Sequence, residues 1–335
     1  MIISKTEINE IAQRINLLKF KNESILITGA TGMIGSYLLE TLLTVGLIQD
    51  FQPKEIKVIS FRGDFSKIEH LCKFKNLKFE SLNLDSPHPI NGYDYVIHAA
   101  SPASPKFFLP QQEMNRINGG ALEYLVSKDT KDLLYISSGE VYGIEHKKPI
   151  KENDIIGAKY DPRRATYPVS KIKAEETCKL LYDKYSVDYK IARLFHSFGP
   201  GLRENDGRSF ADFLWRAARG QNPILNSDGT DVRTFLYSLD CVVGLLLLLT
   251  SNERFNKVNI GSKIPLTIFE FANIVSLIAG LGGINKERKG VYKRHDIKVI
   301  IPDIEKLSQL GWTQNYDIER AISMTLNWIK RSKEF

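Results

Sequence analysis

Short apolar, β-branched runs at 24–28, 56–60, 77–81, 95–98, 133–137, 189–194 and 258–260 alternate along the chain with longer stretches of helical periodicity at 33–46, 111–128, 168–185, 209–219, 239–251, 267–279 and 317–331. Strands separated by crossover-length helices predict a parallel, doubly wound α/β sheet of the Rossmann type. Residues 4–20 read as a short amphipathic leading helix. After residue 195 the rhythm becomes irregular and rich in Gly, Pro, Asn and Asp. The pattern therefore predicts a main domain over 1–195 with its leading helix. A smaller α/β region over 196–335 is expected to cover the main domain, with some segments returning to its sheet. The apolar run 245–249 is too short to cross a bilayer and reads as a buried helix.

Composition narrows the class. The chain has 335 residues, 43% hydrophobic and 25% charged, enough for one large domain or two smaller ones with real cores. Cys72, Cys178 and Cys241 are odd in number and far apart, which gives no support for a disulfide framework or a metal site and fits a reducing cytoplasm. The first residues lack the apolar core of a signal peptide, so a cytoplasmic protein with no membrane partner is expected. The net charge of +7 is spread among acids without a basic arm. That argues against nucleic acid and leaves a mixed surface or a basic pocket for a small anion.

The run 24–28 leads into Gly29-Ala30-Thr31-Gly32-Met33-Ile34-Gly35, and a helix follows. Glycines at this spacing between a buried strand and a helix let backbone amides approach a pyrophosphate, which marks a dinucleotide site. The next strand ends at Ser60 and Arg62, with no carboxylate before Asp64. A serine with an arginine suits a 2′-phosphate, so NADP(H) is favoured over NAD(H). Further on, Tyr167 and Lys171 stand four apart, one turn along the same helix face. An ammonium there is expected to lower the phenol's pKa from its usual value of about 10 and fit the pair for proton transfer at a sugar or alcohol hydroxyl.

Together with Asp94-Tyr95-Val96-Ile97-His98-Ala99-Ala100, Ser137-Ser138-Gly139-Glu140-Val141-Tyr142-Gly143, the block 193–201, the block 228–235, Asn259-Ile260-Gly261 and Leu310-Gly311-Trp312, these motifs closely resemble the extended short-chain dehydrogenase/reductases. Within them the chain is similar to the nucleotide-sugar epimerase/dehydratase group, over almost its whole length. The resemblance implies that Ser138 hydrogen-bonds the sugar O4, that Tyr167 is the acid/base, and that Lys171 binds the nicotinamide ribose. It implies a cofactor cleft lined by the glycine loop (Gly29, Thr31, Gly32, Met33, Ile34, Gly35), Ser60, Arg62, His98, Ala99 and Ala100, with His98 supporting the cleft rather than acting in catalysis. Arg233 would grip the diphosphate of a nucleotide-diphosphate sugar, with His196 nearby and Arg203, Arg208 and Arg294 as further phosphate candidates. It also implies a homodimer through helices 111–128 and 168–185, with Leu122, Leu125, Leu180 and Leu181 as a seam or as plain core.

Relatives that perform 4,6-dehydration carry two acids after the catalytic hydroxyl; here those positions are Gly139 and Glu140. Glycine cannot donate a proton, although Glu140 could serve as a base; variants of the group, decarboxylases among them, can carry a Ser-Glu pair there, so Gly139 departs from those as well. The leading expectation is an NAD(P)H-dependent reductase of the C4 keto group of a nucleotide-linked 6-deoxy hexose, such as a dTDP-sugar, in surface-polysaccharide biosynthesis. The alternatives are a 4-epimerase, 4,6-dehydratase or decarboxylase with tightly bound NAD and, more remotely, a non-catalytic NAD(P) sensor.

Overall fold

A computed structural model describes residues 3–61, 63–88, 90, 92–144, 149–157, 159–160, 164–253, 255–284 and 298–332. Strands β1 (Ser24–Thr28), β2 (Glu55–Ser60), β3 (Leu77–Ser81), β4 (Tyr95–His98), β5 (Asp132–Ser138) and β6 (Asp188–Leu194) precede two short strands, β7 (Ser197–Phe198) and β8 (Val232–Thr234). They are followed by β9 (Leu236–Tyr237), β10 (Lys257–Ile260), β11 (Pro265–Thr267) and β12 (Val299–Ile300). The main sheet has seven strands in the order β10-β6-β5-β4-β1-β2-β3, every neighbour parallel. Its central strands are legible as continuous apolar runs because both faces are covered; β1 and β5 are buried at every position. β10 belongs to the second half of the sequence yet pairs with β6, from Lys257 opposite Ile191 to Ile260 opposite Leu194.

Helices α1 (Lys5–Ala12), α2 (Met33–Ile48), α3 (Gln111–Asn115), α4 (Leu122–Leu125) and α5 (Thr166–Tyr185) lie in the first half. In the second lie α6 (Ser209–Ala218), α7 (Ser238–Thr250), α8 (Ile268–Ile278), α9 (Glu305–Gln309) and α10 (Ile318–Arg331). α1 starts at a reciprocal capping box between Ser4 and Glu7 and stops at Ala12, short of the span expected for the leading helix; a single 3₁₀ turn over Leu18–Phe20 follows. The stretch 111–128 is helical only to Leu125, and it is not regular α-helix throughout. A π turn over Arg116–Gly120 separates α3 from α4.

Two small sheets escape sequence reading because their strands are two or three residues long: β11-β8-β12 and β7-β9. Of the leucines considered for a dimer seam, Leu122, Leu125 and Leu181 belong to the chain's own core, whereas Leu180 is exposed. No described helix is long and apolar enough to cross a membrane. Leu245, Leu246, Leu248 and Leu249 of α7 are fully buried.

Candidate active site

In this strand order the crossovers reverse between β1 and β4, and a cleft opens beyond their C-terminal ends. Gly29, at φ +74°, closes the turn after β1; a Cβ there would lie 2.6 Å from the backbone of Ala99 and Ala100. A Cβ at Gly35 would lie 2.2 Å from the Gly29 carbonyl oxygen. The two glycines thus bring the start of α2 against the ends of β1 and β4, closer than any other residue allows. Gly32 is the N-cap of α2 and supplies no side-chain acceptor, so the first turn faces the cleft with its backbone donors. This cradle fits a pyrophosphate.

The cleft has a volume of about 1230 Å³. Of the residues assigned to the cofactor by sequence, Gly29, Thr31, Gly32, Met33, Ile34, Gly35, Ser60, Ala99, Ala100, Tyr167 and Lys171 line it. Arg62 lies outside the described residues. His98 does not line the cleft; it stands behind it, fully buried. Its Nε2 lies 3.0 Å from the Ile117 carbonyl in the π turn and its Nδ1 2.8 Å from Thr28 Oγ1, which also accepts from the Ala100 amide. The carbonyl requires a proton on Nε2, and in the neutral ring that burial favours, Nδ1 accepts from Thr28. Burial, aided by Lys171, pushes its pKa down to about 3. At the β2 end the lining includes Asp64, Lys67 and Asp85. Hydrogen bonds from Ser66 hold the Asp64 carboxyl below its ordinary range.

At the other end of the cleft, Ser138 closes β5 and its hydroxyl accepts from the Glu140 amide at 3.2 Å. Tyr167, in the first turn of α5, stacks on Phe108 with ring centroids 5.3 Å apart and planes 10° from parallel. Lys171 is buried; its Nζ donates to the Ile136 carbonyl at 2.8 Å and lies over the Tyr135 ring, 4.8 Å from the centroid. The expected lowering of the Tyr167 pKa by Lys171 is not found. Burial raises the phenol above its ordinary value, Glu140 raises it further, and a Ser138 hydrogen bond, Arg208 and Arg164 oppose them. Lys171 contributes little because it is turned toward the strand, 5.8 Å from the Tyr167 ring centroid, and is itself pushed down to about 7 by burial. Desolvation outweighs the pairing on both partners.

Gly139 is closed from above. A Cβ there would lie 2.9 Å from the Phe195 ring, and a Cβ at Gly261 3.0 Å from the same side chain. Glu140 also lines the cleft, where it accepts from Arg164 Nη2 at 2.8 Å. Arg164 was not singled out by sequence, although its place three residues before Tyr167 was a signal. Phe108, in a loop without periodicity, gave none.

The substrate side gathers His196, Arg203, Arg208 and Arg233 around the same cleft, whereas Arg294 lies outside the described residues. Each of Arg208 and Arg233 is held by a near neighbour in sequence, Asp206 and Asp231. Arg233 also donates to the Val232 and Lys298 carbonyls from Nη1. His196 Nδ1 is buried without a hydrogen-bond partner among the described residues. Burial, with Arg233, Arg208 and Arg164 nearby, pushes its pKa down to about 3, so it meets a ligand as a neutral ring. Among the described residues no cluster of His, Cys, Asp or Glu is arranged to hold a metal.

Comparison with known proteins agrees with this construction. Two curated relatives are UDP-glucuronic acid decarboxylase 1 of Xenopus tropicalis, 30% identical over 96% of this chain and 76% of its own length, and the Danio rerio protein of the same name, 31% identical over 96% and 77%. In fold, the chain is similar to UDP-N-acetylglucosamine 4-epimerase from Methanobrevibacter ruminantium M1, with a TM-score of 0.78 at 24% identity over 92% of this chain and 98% of that one. The model of the NAD dependent epimerase/dehydratase family matches residues 25–261, from β1 to the end of β10, and spans the glycine cradle, Ser138, Tyr167 and Lys171. The chain belongs to the NAD-dependent epimerase/dehydratase family.

Proposed function

We propose that this protein is an NAD-retaining enzyme that decarboxylates a nucleoside-diphosphate hexuronate through transient oxidation at C4. The observation that sets this reading against dehydration is Gly139 beneath Phe195, beside Ser138, Tyr167 and Lys171 in the cleft wall. Elimination across C5 and C6 requires a residue that protonates the leaving group, and position 139 has no side chain and no room for one unless the Phe195 ring moves. A 4-keto hexuronate needs no such acid. Its carboxylate is β to the ketone, so the C5–C6 bond breaks with release of CO2 and its electrons pass into an enolate at C4, which a proton at C5 then quenches. Relatives that are 30–31% identical and named UDP-glucuronic acid decarboxylases favour this class over epimerisation.

NAD bound in the cleft would accept a hydride from C4 and return it after CO2 has left. Tyr167 and Ser138 carry the C4 hydroxyl proton out and back; Arg233, Arg208 and the neutral His196 hold the diphosphate. Two carboxyl groups, Asp64 and Asp85, stand with Lys67 on the same side as Ser60, and as acceptors they suit the free ribose hydroxyls of NAD better than a 2′-phosphate.

The test is to incubate the purified protein with UDP-glucuronic acid and NAD and follow released CO2 together with absorbance of reduced cofactor. The expected result is CO2 and a UDP-pentose with no net reduced cofactor, and a loss of about 10²–10⁴-fold in rate for Tyr167→Phe. The reductase expectation makes the opposite prediction. Stoichiometric consumption of NADPH on a 4-keto-6-deoxy sugar nucleotide, without CO2 from the hexuronate, overturns the decarboxylase in its favour.

A further inference from the structure

Helix α5 carries Tyr167, Lys171 and Glu175 at successive turns of one face, and each stands by the last residues of β5. Tyr167 shares the cleft wall with Ser138, Lys171 donates to the Ile136 carbonyl, and Glu175 Oε1 accepts from Ser137 Oγ at 2.6 Å. The third rung is anchored from behind. Arg193 of β6, 1% exposed, grips Glu175 with Nε to Oε1 at 2.9 Å and Nη2 to Oε2 at 2.6 Å. Its remaining nitrogen donates to Tyr142 Oη at 2.8 Å and to the Glu152 carbonyl at 3.0 Å. Tyr142 donates onward to Asn259 of β10.

A buried bidentate pair of this kind is weak evidence for stability, because the cost of desolvation offsets much of the attraction. Its position one turn beyond Lys171 gives it another use. Lys171 is 2% exposed, and its direct partners are a carbonyl and a ring face, neither of which carries charge. We propose that Glu175, held by Arg193, is a positioning residue of the site: it fixes the register of α5 on β5, so that Tyr167 and Lys171 stand at the end of that strand, and it sets a carboxylate one turn from the Lys171 amine. This rests on Lys171 belonging to the acid–base machinery proposed above, and does not depend on which sugar is bound.

The groups facing Lys171 are Tyr167, Glu175 and Cys178 on its own helix, Tyr135 on β5, His98 on β4 and, through Glu175, Arg193 on β6. Of these Glu175 is the foremost influence that favours the ammonium. His98 is neutral, and the Cys178 thiol is raised by burial. Removing the carboxylate therefore leaves no anion to replace it.

The experiment titrates Lys171 directly by NMR in protein labelled in its lysine side chains, the signal being assigned by its absence in Lys171→Arg. In the unaltered protein it is expected to titrate near neutrality. In Glu175→Gln the midpoint falls by about one pH unit or more, and kcat for whichever nucleotide sugar the unaltered protein turns over drops with KM little changed. A folded Glu175→Gln variant whose Lys171 titrates at the original pH overturns the proposal and leaves the pair a purely structural one. Should the single variant fail to fold, Glu175→Gln with Arg193→Met removes both buried charges and is expected to fold, with kcat lowered because the third rung no longer ties α5 to β5 and β6. A folded double variant with unchanged kcat overturns the proposal equally. Full turnover in Lys171→Met would instead remove the acid–base reading itself, whatever Glu175 does.

Discussion

Glu140 is the residue at which two chemical demands meet. It lies close enough to Tyr167 to be the largest influence after burial that keeps the phenol protonated, and it is held there by Arg164 at 2.8 Å. Glu140→Gln removes the anion, so the Tyr167 ionisation is expected to move to lower pH, read as the tyrosinate absorbance that Tyr167→Phe abolishes. An unmoved ionisation would assign Glu140 to the substrate alone. The partnership was not legible in the sequence, because the two residues are 24 apart and joined by a loop without periodicity. Ser138, Tyr167 and Lys171 were legible as positions. The effect of Lys171 on Tyr167 was not, since spacing reports a shared helix face but neither where an ammonium points nor how deeply both groups are buried.

Among the elements, the main-sheet strands could be read because each is a short apolar run ended by turn residues. The π turn between α3 and α4 could not, since one extra residue in a turn leaves the apolar pattern on either side intact. That turn is what places the Ile117 carbonyl on His98 and brings Asn118 to Ser170 at 2.9 Å, one residue before Lys171. At the opposite side of the cleft the β1–α2 turn depends on the absence of side chains. Gly35→Ala puts a methyl group 2.2 Å from the Gly29 oxygen. It is expected to lower stability by about 1–3 kcal/mol by overpacking and to weaken dinucleotide binding, measured by thermal unfolding with and without NAD. Unchanged melting would mean that the turn can widen without loss.

Across the whole molecule, two histidines held neutral make the fold sensitive to acid. His98 and His196 both have folded pKa values near 3 against about 6.5 in an unfolded chain. The unfolded state therefore takes up protons first as pH falls. Stability is complete above about pH 6.5 and declines toward pH 3, by about 1.4 kcal/mol per pH unit for a fully buried histidine. Thermal midpoints at pH 7, 6 and 5 should descend, and descend less in His98→Asn; parallel curves would show that other groups dominate.

The ends of three adjacent strands hold one more constraint. Phe195 follows β6 and is flanked by Gly139 after β5 and Gly261 after β10, neither with room for a Cβ. This nesting makes the three positions one unit of volume. A side chain added at 139 or 261 meets Phe195, so it is accommodated only as the ring moves or a smaller residue stands at 195. The strand ends are in this sense a single lock, and a change of chemistry at 139 is a change of packing at 195.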